Sequence, residues 1–256
     1  MNLRNRWAII LVLVFVAVGA VFTARSIRAG QHVKLQLAGL AKKIGPDNAP
    51  VHMLVYSDFQ CPACERAHGP ITTLQRQFPE QVQLEFRHYP LERSHRWAMT
   101  AAVFAECAAQ QGKFWPFHDR LYGEQAKWSN TEDAIPYLAQ YTQEVGLDQR
   151  QVEQCLQDPR VINTIRADHD SGDAKQVQST PTIFINDRRI VGGIDFVAKA
   201  QGMVLEELQM RGIKPPEHLE PLQMPPAPPV PQAAVSPASL PPQPEAPPAP
   251  SASPSP

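Results

Sequence analysis

Net charge is almost absent from this chain of 256 residues: 24 Lys and Arg face 25 Asp and Glu, and between Gly45 and Ile213 the balance is 16 to 22. A segment carrying about −6 offers no surface for nucleic acid. The stretch from Pro215 to Pro256 has no Lys or Arg and no Phe, Tyr or Trp, yet holds 17 of the 27 prolines. It cannot bury a core, so residues 214–256 are expected to be a disordered, solvated tail. Its Pro-x-x-Pro segments, such as Pro225 to Pro228, could also dock in an aromatic groove. No apolar run exceeds Trp7 to Phe22, 16 residues without a charge preceded by Arg4 and Arg6. That length lies between a signal-peptide core and a thin membrane span, and the lack of a clean A-x-A site favours an uncleaved anchor over a cleaved signal.

Either reading of residues 1–28 exports the remainder of the chain, to the cell envelope or the periplasmic face of an inner membrane. Disulfide chemistry is permitted there. Cysteine is scarce, at four residues: Cys61, Cys64, Cys107 and Cys155. Residues 45–213 are long enough for one domain with its own core.

Val33, Leu37, Leu40 and Ile44 recur at helical spacing, so residues 29–44 are expected to form a short helical linker. The breaker Gly45-Pro46-Asp47-Asn48-Ala49-Pro50 then introduces a strand over Val51–Tyr56. A helix from Pro62 to Phe78, a strand over Val82–Phe86, a helical block at about 93–175, strands over Thr182–Asn186 and Arg189–Val191 about an Asp187-Arg188 turn, and a last helix from about Asp195 to Met210 complete the order. The fold class is α/β, with four strands flanked by helices.

Cys61-Pro62-Ala63-Cys64 occupies the turn from a strand into a helix. A thiolate there faces the unpaired N–H groups and the positive end of the helix, which lowers a cysteine pKa from about 8.5 to between roughly 3.5 and 7.5. Cys61 is therefore the candidate nucleophile. Cys64, one turn further in, is the shielded thiol that resolves a mixed disulfide. The competing reading is zinc held by Cys61, Cys64 and His68. Structural zinc takes a second paired ligand motif, and Cys107 and Cys155 lie 48 residues apart, so redox chemistry is favoured and no metal or other cofactor is expected. Asp58 either tunes the thiolate by its charge or caps the local turn. His88, His95, His118 and His169 have no mutual metal spacing and read as surface or packed polar residues. Cys107 and Cys155 could be two buried hydrophobes or a pair.

Taken together, Gly45 to Val51, Tyr56-Ser57-Asp58-Phe59-Gln60-Cys61-Pro62-Ala63-Cys64, the Ala102 to Tyr122 segment with Cys107-Ala108 and Gly112-Lys113-Phe114-Trp115, and Ser179-Thr180-Pro181-Thr182-Ile183-Phe184-Ile185-Asn186 resemble the DsbA-like thiol:disulfide oxidoreductases. The resemblance runs from about Gly45 to Leu208. It implies a thioredoxin-like fold with an inserted all-helical subdomain, a cis-Pro181 that with Thr180 offers backbone pairing to an extended substrate, and a second disulfide joining Cys107 to Cys155. The implied partners are unfolded or partly folded exported proteins and a membrane redox partner, a quinone-linked oxidase for a disulfide donor or a reductase for an isomerase or reductase. The helix-terminus thiolate and export both favour a disulfide donor, while Ala63 and Thr180, which depart from the best-known oxidase of the family, keep an isomerase or reductase as the alternative. A reading from another class, an envelope scaffold that uses the same fold and the proline tail to hold partners, has no use for an intact dithiol.

Overall fold

The computed structural model of the chain describes residues 13–23, 25–26, 30, 39 and 41–226. Within 41–226 the elements are β1 (Lys43–Ile44), β2 (Val51–Ser57), α1 (Pro62–Gln77) and β3 (Val82–His88), then six helices in succession. These are α2 (Ala98–Ala109), α3 (Phe114–Gly123), α4 (Gln125–Trp128), α5 (Ile135–Glu144), α6 (Gln149–Leu156) and α7 (Pro159–Ala174). β4 (Thr182–Ile185), β5 (Arg188–Val191) and α8 (Gly193–Met210) come last. The sheet order is β1-β3-β2-β4-β5. Only β2 and β3 are parallel, in register from Val51 opposite Val82 to Ser57 opposite His88, and the crossover that a parallel pair requires is α1.

Both faces of the sheet are covered, which is why β2 reads as a nearly continuous apolar run. On one face Val51, Met53, Val55, Leu84, Ile183 and Ile185 pack against Ala67, Ile71 and Leu74 of α1 and Phe196, Ala200, Val204 and Leu208 of α8. Each such side chain contributes about 1.5–3 kcal/mol when fully buried. On the other face Tyr56 and Phe184 meet Tyr89 and Val177. Helix α7 comes so close here that a Cβ on Gly172 would lie 2.7 Å from the Tyr89 ring and 3.1 Å from that of Tyr56. Only glycine permits that approach. The helical block has its own core of Phe104, Phe114, Phe117, Leu121, Trp128 and Leu138, which is continuous with Phe59, Cys61 and Cys64.

Three expectations need correction. The sheet has five strands: Ile44 lies in β1 opposite Leu84, not on a helical linker, while Val33, Leu37 and Leu40 lie outside the described residues. Helical spacing could not reveal that β3 offers an open edge, or that Lys42 is drawn in by buried carboxylates. The β4–β5 turn centres on Asn186 and Asp187, one residue early, because Asn186 takes a left-handed conformation, φ 51°, that asparagine tolerates. The tail does not begin as solvated chain. Leu222 is buried against the α1–α8 layer with Leu219, and the Glu220 carbonyl accepts hydrogen bonds from Gln77 and Gln201. Apolar residues among the first prolines carry the chain back onto the domain, and residues 227–256 lie outside the described ones. The expected anchor finds no support: among the described residues no helix is long and apolar enough to cross a membrane, and residues 7–12 of that segment are not described.

Lys42 is 4 % exposed, with its ammonium beside Glu106 and 2.8 Å from Asp168. Arg87 reaches the other oxygen of Asp168 at 2.9 Å, and His88 Nε2 lies 3.1 Å from Glu106. Burial pushes the Glu106 carboxyl up, but Lys42 and then His88 overcome it and hold it at about 2. This cluster ties β1, β3, α2 and α7 together. Cys107 and Cys155 are disulfide-bonded and join α2 to α6 across a separation of 48 residues. In the chain-entropy account a loop of that size contributes about 4 kcal/mol.

Candidate functional site

Cys61 is the N-cap residue of α1 and Pro62 opens its first turn, where a missing N–H costs nothing. Both Cys61 and Cys64 are free thiols, and both are buried. The Thr180–Pro181 peptide is cis and brings the Thr180 carbonyl to 3.5 Å from Cys61 Sγ, so the protonated thiol donates to it. The ionised form has other donors. Cys61 is lowered to about 5, first by the Cys64 thiol donating to its sulfur, against the cost of burial, then by the Thr180 hydroxyl and the N–H groups of Cys64 and Ala63. The Thr180 hydroxyl is buried and has no hydrogen-bond partner in the fold, which leaves it available to the Cys61 thiolate. The helix terminus that the sequence points to is therefore one contributor behind the neighbouring thiol. Cys64 is shifted the other way, well above the ordinary value, by burial first and then by Cys61. One sulfur is ready as thiolate while its neighbour keeps its proton.

The loop in front of the motif is fixed by hydrogen bonds. Asp58 accepts from the Gln60 N–H at 2.7 Å, from the Leu91 N–H at 2.9 Å and pairs with His95 Nδ1 at 2.7 Å, which raises the His95 pKa. Of the two readings of Asp58, these bonds make it the local turn holder. Gln60 donates to the Ser129 carbonyl and accepts from the Trp97 N–H, and Gln125 donates to the carbonyls of Phe59 and Cys61. The helical block thus clamps the loop that carries the nucleophile. Gln60, Ser129, Trp97 and Gln125 were not legible as site residues, because no spacing rule links partners 37 to 69 positions apart.

Behind Cys64 lies a small cavity that admits a water-sized sphere over about 20 Å3, lined among others by Ser57, Cys64, His68, Trp115, His118 and Tyr122. Ser57 Oγ and Tyr122 OH are 2.7 Å apart on its wall. His118 is buried among Phe59, Phe86, Phe114, Trp115 and Tyr122, and burial first of all lowers it to about 4. His88 is buried too, whereas His95 and His169 are partly exposed, His169 stacking on Tyr89 at 4.1 Å. Among the described residues Cys61, Cys64 and His68 do not come together as a ligand cluster; His68 Nε2 is 3.0 Å from Asp119 and not beside the two sulfurs.

A family model described as Thioredoxin matches residues 40–200. Among curated relatives, the Na(+)/H(+) antiporter NhaA 3 of Salinispora tropica is 33% identical over 178 residues, covering 68% of this chain and 26% of the antiporter. The Na(+)/H(+) antiporter NhaA of Herminiimonas arsenicoxydans is 33% identical over 162 residues, 63% of this chain and 24% of its own. The chain spans about a quarter of the length of these relatives. Among solved structures, a thioredoxin-like oxidoreductase from Silicibacter pomeroyi is 24% identical, covering 66% of this chain and 91% of that one, at a TM-score of 0.54. BdbD from Bacillus subtilis, oxidised, is 22% identical over 66% and 92%, TM-score 0.59. Wolbachia pipientis alpha-DsbA1 is 19% identical over 66% and 94%, TM-score 0.57. These structures share the fold.

Proposed function

The chain belongs to the thioredoxin family and has a DsbA-like fold, and from that premise we propose that it is an exported thiol:disulfide oxidoreductase acting as a disulfide donor to folding proteins. The observation that carries this reading is the split between the two sulfurs of Cys61-Pro62-Ala63-Cys64, one lowered to about 5 and the other raised. In the oxidised form a substrate thiolate attacks Cys61 Sγ. The Cys61–Cys64 bond breaks, Cys64 leaves and takes up a proton, and a Cys61–substrate mixed disulfide remains. A second substrate thiolate then attacks the substrate sulfur and Cys61 departs as a thiolate. Two electrons pass from the substrate dithiol to the protein, and a partner such as a quinone-linked membrane oxidase must remove them.

The direction is set by the leaving group. A pKa near 5 stabilises the reduced state relative to an unperturbed pair, which makes the disulfide the stronger oxidant. Thr180 and cis-Pro181, beside Cys61, are the backbone on which an extended substrate would pair. Equilibration of the Cys61–Cys64 pair with glutathione is expected to give a reduction potential above the thioredoxin value of about −270 mV, together with oxidation of a reduced unfolded protein. A potential at or below that value would assign the site to reduction or isomerisation.

A further inference from the structure

We propose that His68, His118 and Asp119 form a binding site for a divalent cation of the zinc class, separate from the dithiol. His68 Nε2 and His118 Nδ1 converge on one atom, Asp119 Oδ1, at 3.0 and 2.8 Å. The three ligand atoms all lie within 4.8 Å of one another. With zinc–nitrogen and zinc–oxygen bonds of about 2.0–2.2 Å, the edge of a tetrahedral site is roughly 3.3–3.6 Å, so the two distances to the carboxylate lengthen by a few tenths of an ångström while the two nitrogens, within 4.8 Å, settle on the same edge. Asp119 and His68 have the freedom to make them, at 58% and 23% side-chain exposure. His118 does not move: Phe114, Trp115 and Tyr122 enclose its ring, while Tyr122 also stacks on His68 at 5.3 Å. Aromatic walls that fix imidazole planes do the orienting work that outer partners do in metal sites.

Two imidazoles and one carboxylate with an exposed side match the three-ligand, open-position pattern of zinc, with water as fourth ligand. The other clusters of this kind among the described residues lack one of these properties. In the cluster of His88, Glu106 and Asp168 the two carboxylates already hold the Lys42 ammonium, and His169, Asp170 and Asp173 stand on the surface with no buried member.

The test uses the full chain carrying Cys61→Ala and Cys64→Ala, so that thiolates cannot bind the ion and the result is independent of the redox reading. Zinc titration by calorimetry, with cobalt(II) absorption as a second probe, is expected to give one equivalent bound with nitrogen–oxygen and no sulfur ligation. His68→Gln and Asp119→Asn, both on side chains that reach the surface and checked for unchanged thermal unfolding, should each weaken it by at least about tenfold. His169→Gln should leave it unchanged. No binding, or binding that survives both ligand substitutions, would overturn the proposal.

Discussion

Replacing Cys61 with alanine is expected to reduce disulfide exchange to the rate of a protein-free control, while Cys64→Ser should still react once and then accumulate as a mixed disulfide. The asymmetry rests on the chemistry of each sulfur. At pH 7 a pKa of about 5 leaves roughly 99% of Cys61 as thiolate, against about 3% for a free cysteine of pKa 8.5. Only the thiolate attacks or leaves readily. Cys64 is buried and raised, so it contributes by opening or closing the bond to Cys61 and not by meeting substrate. Non-reducing electrophoresis of the two variants after incubation with a disulfide-bonded substrate, whose bond the Cys61 thiolate opens with release of one substrate thiolate, separates these outcomes. Covalent adducts on the Cys61→Ala protein, or none on the Cys64→Ser protein, would reverse the two roles.

Glu106→Ala should be the most damaging substitution away from the dithiol, at about 3–5 kcal/mol of unfolding free energy, because it leaves Lys42 and its neighbours with an uncompensated buried charge. Lys42→Met combined with Glu106→Leu should lie closer to the parent, since both charges go together while Arg87 still answers Asp168. The sign with pH is fixed. Glu106 is held at about 2 in the fold, so its contribution is complete above its ordinary value of 4.5 and is lost as pH falls from there through about 2. Urea unfolding of both variants, with the parent followed between pH 7 and pH 3, measures each part. A loss below about 1 kcal/mol, the range of an exposed pair, would mean that the cluster is wet and not buried.

The sequence made the order of elements legible wherever periodicity and breakers coincide. Val51–Tyr56 stands after a proline-bounded turn, Pro62 starts α1 beside the cysteines, and the Thr182 strand comes directly after Pro181. Those signals are local. What stayed hidden depends on pairing at a distance. A two-residue strand such as Lys43–Ile44 has no period of its own and exists because β3 has an edge to offer. Lys42 looks like any charged residue before a glycine turn until Glu106 and Asp168, 64 and 126 positions away, are brought to it. The place of Cys61 and Cys64 at a strand-to-helix turn was readable from Pro62 and the strand before it. The glutamines that clamp this turn were not, because Gln60 and Gln125 acquire their partners only when the helical block docks.

The most direct test of the dithiol chemistry tracks the ultraviolet absorbance of the thiolate against pH in the reduced protein, with the Cys61→Ala variant as the blank. Cys61 is expected to titrate with a midpoint near 5, while Cys64 stays protonated well past neutrality. A midpoint for Cys61 at the free-cysteine value of about 8.5 would contradict the reading of this site as a disulfide donor.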